Sequence, residues 1–310
     1  MFYKILILAT FFVFGSFISS KAQEDVPYNH ILSVSTYYNP SFAGTSGKYS
    51  FSNNFKSGDF GHYNSDMYSL CLSYDMYLNA IQGGIGIIGY YNHLTPNNAS
   101  ANYVGIIYAP KFNLFDICTI SPSIKFGYIH NEDKLIINTP IDCDTIGVQK
   151  KGSDLSFGLL LNSNCIYAGL SVDHLLEPKI NFLNYNLVPL YKKYVVQLGY
   201  HSAKSEARGS LMHLNLLYQI QKNNNFLFLS DYYVGRRIEY LTAGGDFYYR
   251  LMIGIGYKMI NPTFLDYSEN SIFCGLGVQD NTFTLGLGVE MPTAHIQPKI
   301  IETSIKFSFN

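Results

Sequence analysis

The sequence predicts an all-β fold, a transmembrane outer-membrane β-barrel of about 14 antiparallel strands. Three observations predict it. Apolar and small or polar residues alternate with a period of two in segment after segment. Charge is sparse, at 14% of residues against a soluble norm of roughly 25%, while aromatics reach 16% and Tyr (27) outnumbers Phe (22). The single long apolar run, Ile5–Ile18, lies at the N-terminus and is too short to span a bilayer as a helix. These features exclude other classes. A disordered chain lacks aromatics and is rich in charge. A helical membrane protein repeats runs of about 20 apolar residues. A nucleic-acid binder carries a basic surplus, whereas 21 Lys+Arg against 22 Asp+Glu leave a net charge of −1.

Residues 1–22 read as a secretory signal peptide: Lys4 precedes the apolar core, and Ser19, Ser20 and Ala22 supply small residues before a cut at Gln23. Residues 23–47 form an N-terminal segment, and residues 48–310 form the barrel. Candidate strands begin with Lys48–Phe55, Asp66–Tyr77, Gly83–Tyr91, Ala101–Asn113 and Ile117–His130. They continue with Ser153–Leu161, Cys165–Asp173, Leu190–Ser202, Leu211–Gln221 and Asn225–Tyr233. Arg237–Tyr249, Leu251–Met259, Ser271–Gln279, Thr282–Glu290 and Ile300–Phe309 complete the series. That is one segment more than an even-stranded barrel of this length needs. In Phe283–Glu290, Phe283, Leu285, Leu287 and Val289 share one face, with Thr284, Gly286, Gly288 and Glu290 on the other. Gly254–Met259, Val196–His201 and Ser304–Phe309 repeat the pattern. In a membrane barrel the apolar face meets lipid, and Gly, Ser, Lys, Gln and His face the lumen. With no Trp in the chain, Tyr90, Tyr91, Tyr128, Tyr200, Tyr232 and Tyr233 are candidates for an interfacial aromatic girdle. Compact links such as Asn162–Asn164, Lys222–Asn225 and Asp280–Asn281 read as hairpin turns; Asn92–Ser100, Asn131–Gly152, His174–Pro189 and Asn261–Asn270 read as long connections.

Motifs that carry chemistry are few. Gly84-Ile85-Gly86-Ile87-Ile88-Gly89 fits GxGxxG, but a phosphate loop needs a helix to follow. Here the run sits inside a strand, where glycine suits close packing. The eight His are scattered without HxH or HExxH, and the five Cys form no CxxC. Cys143 lies in a loop between Asp142 and Asp144. Asp173 and His174 would suit a hydrolase only with a nucleophilic Ser that the sequence does not single out. No catalytic, cofactor or metal residue is assigned.

Two segments carry a family resemblance. Tyr37-Tyr38-Asn39-Pro40-Ser41-Phe42-Ala43-Gly44-Thr45 resembles the Asn-Pro-Ala-x-Ala-Gly signature that follows the signal peptide in the PorP/SprF family of type IX secretion. Tyr167-Ala168-Gly169-Leu170-Ser171-Val172-Asp173-His174-Leu175-Leu176-Glu177-Pro178 resembles that family's Gly-hydrophobic-Ser-x-x-His-Leu-x-Gln-Pro stretch. The departures are Ser41 for Ala, Glu177 for Gln, and Phe51–Phe55 where the family has a Trp-containing strand. The resemblance implies a non-enzymatic outer-membrane barrel that assists secretion or surface attachment of large cargo or adhesin proteins, including those of gliding motility. Its partners would be outer-membrane lipid, the secreted cargo and periplasmic components of the secretion machine, without nucleic acid. The alternative is a passive pore or small-solute channel. Tyr37, Tyr38, Asn39, Pro40, Phe42, Ala43, Gly44, Gly169, Ser171, His174 and Pro178 are the motif residues and candidate partner contacts. The aromatic residues of residues 23–47 have two readings: anchors in a partner's groove, or packing into the barrel's own periplasmic mouth.

Overall fold

The computed structural model describes residues 25–59, 66–94, 99–114, 117–138, 143–183, 186–201, 210–221, 224–242, 245–262, 269–280, 282–293 and 300–309. The expected signal peptide, residues 1–22, lies outside them. In chain order the strands are β1 (Tyr49–Asp59), β2 (Asp66–Leu78), β3 (Gly83–Leu94), β4 (Ala99–Pro110), β5 (Phe112–Leu114), β6 (Cys118–Asn138) and β7 (Cys143–Ser163). Next come β8 (Ile166–Asp173), β9 (Lys179–Leu183), β10 (Asn186–Pro189), β11 (Lys193–His201), β12 (Ser210–Gln221) and β13 (Asn224–Thr242). The last four are β14 (Gly245–Pro262), β15 (Glu269–Gln279), β16 (Phe283–Pro292) and β17 (Ile300–Phe309). Each long strand pairs antiparallel with its neighbours, and β1 pairs with β17 from Tyr49↔Phe309 to Ser57↔Ile301. β4 pairs with β6 as well as β3, through Val104↔Tyr128. The pairing therefore runs in a circuit of 14 strands among the described residues. The short β5 pairs only with β6, and β9 and β10 make a separate hairpin in the β8–β11 connection. Among the described residues no helix is long and apolar enough to cross a membrane.

The period of two sorts the wall as expected. Outward positions carry Phe51 and Phe55 of β1, Val104 and Ile106 of β4, Leu285 and Leu287 of β16, and Ile305 and Phe307 of β17, all substantially exposed. Inward positions one residue away carry Ser50, Ser52, Asn54 and Lys56, then Gly286, Gly288 and Glu290, then Glu302 and Ser304. This is the reverse of a water-soluble core, and lipid accounts for it. Outward Tyr occur near both ends: Tyr49 and Tyr200 near one, Tyr68, stacked on His93 at 4.7 Å beside Tyr91, near the other. Tyr90 departs from the girdle expectation: it points inward and stacks on Tyr103 with ring centres 4.7 Å apart. The side chains of Tyr232 and Tyr233 lie outside the described ones.

Three sequence expectations are corrected. Arg237–Tyr249 is not a strand; it is the hairpin end where β13 and β14 continue past their neighbours and pair down to Thr242↔Gly245. The long connection expected over Asn131–Gly152 is mostly ladder, because β6 and β7 keep pairing out to Asn138↔Cys143, so Cys143 begins a strand. The segment expected over Ala101–Asn113 divides at Lys111, whose N–H bonds the Gln82 carbonyl, not a strand neighbour.

Residues 25–47 do not cap one mouth. They pass through the lumen. Asp25 lies beside Asp173 and Lys193, at the end of β8 and start of β11, while Gly44 lies beside Asp75 and Gly84, near the opposite end where β1 begins and β17 ends. Along the way the chain makes only α1, a single turn over Ser35–Tyr38, and a 3-10 turn over Pro40–Phe42.

Candidate functional site

The site is the lumen, and its occupant is the chain's own N-terminal segment. The first motif supplies the middle of it. Asn39 caps the 3-10 turn, its Oδ1 accepting the Ser41 N–H at 2.9 Å, and Pro40 presets the first residue of that turn. The Asn39 amide then donates to the carbonyls of Leu159 and Leu170, both at 3.3 Å. Ser41 shares a hydroxyl contact with Ser123 at 2.8 Å. Tyr37 and Tyr38 are buried, at 3% and 0% exposure, and their hydroxyls donate back to the carbonyls of Val26 and Tyr28. Tyr37 meets Tyr28, Tyr38 and Tyr90 edge to face, with the Lys193 ammonium 4.8 Å from its ring centre. Phe42 meets Tyr167 of β8 edge to face at 5.3 Å. Ala43 and Gly44 lie against Gly84, so the first glycine of the Gly84–Gly89 run serves as a seat for backbone. Tyr37 and Tyr38 are therefore not available as anchors for a partner's groove.

The second motif receives the first. Gly169, Ser171 and Asp173 are successive inward positions of β8. A Cβ on Gly169 would meet the Asn39 amide nitrogen at 2.8 Å. The Ser171 hydroxyl donates to the Tyr38 carbonyl at 2.6 Å. His174 turns the chain in the left-handed region, with φ 59°, and places its ring between two carboxylates. Its Nδ1 is 2.9 Å from Asp154 Oδ2 and its Nε2 is 2.9 Å from Asp25 Oδ2. Pro178 lies over Gly152 and leads into the β9–β10 hairpin, whose Ile180 is buried in the same apolar cluster as Tyr28 and Tyr37. The motif residues separated in sequence thus form one assembly, from Asn39 against Gly169 to Asp25 against His174.

Charge holds the far end of the segment in two clusters. In the first, Lys193 contacts Asp25 at 2.8 Å and Asp173 at 3.2 Å, and Lys125 contacts Asp173 at 2.8 Å. With His174 protonated, three cations (Lys125, Lys193, His174) face three carboxylates (Asp25, Asp154, Asp173). Burial by itself would push the His174 pKa down, but Asp25 and Asp154 outweigh it and raise it to about 9. Burial also opposes ionisation of Asp25, yet Lys193 and His174 hold its carboxyl well below the usual range. In the second cluster, Lys56 contacts Glu290 at 3.1 Å and Glu302 at 3.8 Å, and Lys258 pairs with Glu290. Glu302 accepts the backbone N–H of Asn29 at 2.8 Å and of His30 at 2.9 Å, one on each oxygen. Glu290 accepts the Asn29 side-chain amide at 2.8 Å, and Lys56 donates to the Pro27 carbonyl. Among the described residues no group of His, Cys, Asp and Glu has the arrangement of a metal centre. Sequence reasoning singled out His174 but passed over Asp25, Asp154, Lys125, Lys193, Lys56, Lys258, Glu290 and Glu302. The available signal was charge at inward strand positions of a charge-poor chain.

The profile of one family, described as type IX secretion system membrane protein PorP/SprF, matches residues 20–301. A comparison with curated proteins gives no match. Among solved structures, a Pseudomonas aeruginosa FadL homologue aligns at 8% identity and TM-score 0.47, over 95% of this chain and 100% of that one. The β domain of the Bordetella autotransporter BrkA aligns at 12% identity and TM-score 0.43, over 84% and 100%. The Acinetobacter baumannii outer-membrane protein Omp33 aligns at 8% identity and TM-score 0.43, over 86% and 100%.

Proposed function

This chain belongs to the PorP/SprF family of type IX secretion membrane proteins, and from that premise we propose that it is a plugged, non-enzymatic outer-membrane scaffold that assists secretion or surface attachment of large cargo proteins. The observation that carries the plugged reading is the path of residues 25–44 through the lumen, tied to strands on every side. A passive pore keeps its lumen free for solute; here aromatic rings and paired charges fill it. The mouth at the Asp25 end carries the long Asp173–Lys193 connection, while both Tyr49 and Phe309 lie at the other end. Long loops outside and short turns in the periplasm are the rule for such barrels. The Asp25 end therefore faces outward, and the end near Tyr49 faces the periplasmic secretion components. Secreted adhesins, including those used in gliding, are the cargo class this reading favours.

Two measurements test it. Deleting the gene should leave a specific large surface protein unsecreted or released into the medium, with small-solute uptake unchanged. Purified protein in planar bilayers should show no large, stable open conductance. Normal surface display in the deletion strain, together with a nutrient-uptake defect and a steady open conductance, would establish the pore instead.

A further inference from the structure

The wall around residues 25–34 recognises a carboxylate and a peptide main chain at its polar contacts. Two cationic donors converge on a single oxygen, Asp25 Oδ2: His174 Nε2 at 2.9 Å and Lys193 Nζ at 2.8 Å. Set Asp25 aside and the wall of that cluster carries three cations, Lys125, Lys193 and protonated His174, against two anions, Asp154 and Asp173. It is a site short of one carboxylate. The next contacts are to backbone. Glu302 takes two successive N–H groups, Lys56 takes the Pro27 carbonyl, and Lys306 takes the Leu32 carbonyl at 3.0 Å. Such contacts tolerate other side chains. The second cluster keeps its own balance without the segment, since Lys56 and Lys258 face Glu290 and Glu302, all four on the wall. The segment from Asp25 to Val34 has no helix or strand of its own; turn hydrogen bonds from Ser33 and Val34 to the His30 carbonyl shape its second half, and the wall contacts hold the first. Side-chain identity enters at Asn29, whose amide meets Glu290, at Tyr28, whose hydroxyl meets Ser69, at His30 against Phe273, and at the buried Ile31 and Val34 of the apolar cluster.

We propose that the outward half of the lumen is a binding site for an acidic peptide segment, with Asp25–Val34 as its resident occupant, and that a segment of a secreted partner exchanges with it. The ligand class is a short stretch with an Asp or Glu side chain four positions before an amide donor, matching Asp25 and Asn29. This deepens the secretion-scaffold reading and rests on it for the source of the partner segment. The binding chemistry itself stands on the lumen geometry.

The test uses the full-length barrel folded in detergent and a fluorescent synthetic peptide with the sequence of residues 25–34. Asp25→Asn in the protein weakens the resident occupant, so the labelled peptide should bind that variant about tenfold more tightly than it binds the wild type. A peptide with Asn in place of its leading Asp should bind the variant about tenfold more weakly than the Asp peptide, and adding His174→Gln to the barrel should erase that preference. Failure of the peptide to bind a variant whose heat-modifiable migration shows a folded barrel would overturn the proposal. So would equal binding of the Asp and Asn peptides. A second measurement needs no variant. In wild-type hydrogen exchange, the amides of Asn29 and His30 should exchange faster than the paired amides of β6 and β7, because an exchangeable segment leaves its seat. Protection equal to that of the strands would sink the exchange step. Neither result depends on the deletion phenotype or the conductance, so the two readings can fail separately.

Discussion

Around Asp25 the wall is complete only when the N-terminal segment brings its carboxylate; around Asn29 and His30 the wall balances its own charge and offers the segment hydrogen bonds. The first arrangement behaves as a latch, because one side chain of the segment decides whether buried charge cancels. The second behaves as a rail, because it grips main-chain N–H groups that any residue but proline supplies. A lumen closed by both holds one segment in one register, with the buried side chains of Tyr28, Ile31 and Val34 filling the space between latch and rail.

The largest effect should come from breaking the rail. Glu302→Ala removes the acceptor of two buried N–H groups and a partner of Lys56, leaving Lys56 and Lys258 to share Glu290. Breaking a buried charged pair from one side costs about 3–5 kcal/mol. The urea midpoint of the detergent-folded barrel should fall, and the amides of Asn29 and His30 should lose protection. Unchanged protection at those two amides would show that Glu302 does not carry the rail.

Asp25→Asn should cost less, about 1.5–3 kcal/mol, the scale of charge-assisted hydrogen bonds. Lys193 keeps Asp173, His174 keeps Asp154, and the surplus charge can leave as the His174 proton. The latch should also be pH-sensitive. His174 is faced by Asp25 from the segment and Asp154 from β7, with Asp173 of β8, Lys193 of β11 and Lys125 of β6 in the same cluster. Its pKa is raised to about 9, so its stabilising contribution is fully present below about pH 6.5 and is lost as the pH rises through about 9. Hydrogen exchange corrected for intrinsic base catalysis should show protection near Val26 falling between pH 7 and 9.5. His174→Gln should abolish the step. A step that persists in His174→Gln would assign it to another group.

The two regions also differ in how far the sequence exposes them. The wall is legible because a strand's side chains alternate strictly, so Phe283–Glu290 alone shows which residues face lipid. The extra segment at Arg237–Tyr249 arose because a hairpin extended beyond its neighbours has the same local pattern as a barrel strand. The motif residues around Asn39 and His174 are legible as motifs, but their meeting is not, since more than a hundred residues separate Asn39 from Leu159 and Leu170. The rail is the least legible part. Lys258, Glu290 and Glu302 come from the β14–β17 meander, Lys56 joins them only through the β1–β17 closure, and alternation marks such residues as inward without pairing them. Polar inward residues mark a lumen, and period-two reasoning carries no information on what fills it.

The smallest effects separate the seat of the segment from the wall within a single run of glycines. Gly84 and Gly89 both belong to the stretch that fits GxGxxG, but they face opposite ways on β3. A methyl group on Gly84 would run into the backbone carbonyl of Ala43, which the turn at Gly44 holds in place with φ 69° and an N–H bond to Asp75 at 2.7 Å. Neither side can rotate away, so Gly84→Ala should cost about 1–3 kcal/mol, as overpacking does, and should loosen the segment at its Gly44 end. A methyl group on Gly89 would find nothing nearer than the Tyr103 carbonyl at 3.4 Å. Gly89→Ala should therefore stay within about 0.5 kcal/mol of the wild type, as substitutions away from packed features do. Urea midpoints of the two variants, read beside protection at Gly44, should differ in that sense. Equal losses would mean that the run matters as a flexible strand; a loss confined to Gly84→Ala would show that the glycine at that position exists to let the N-terminal segment lie against the wall.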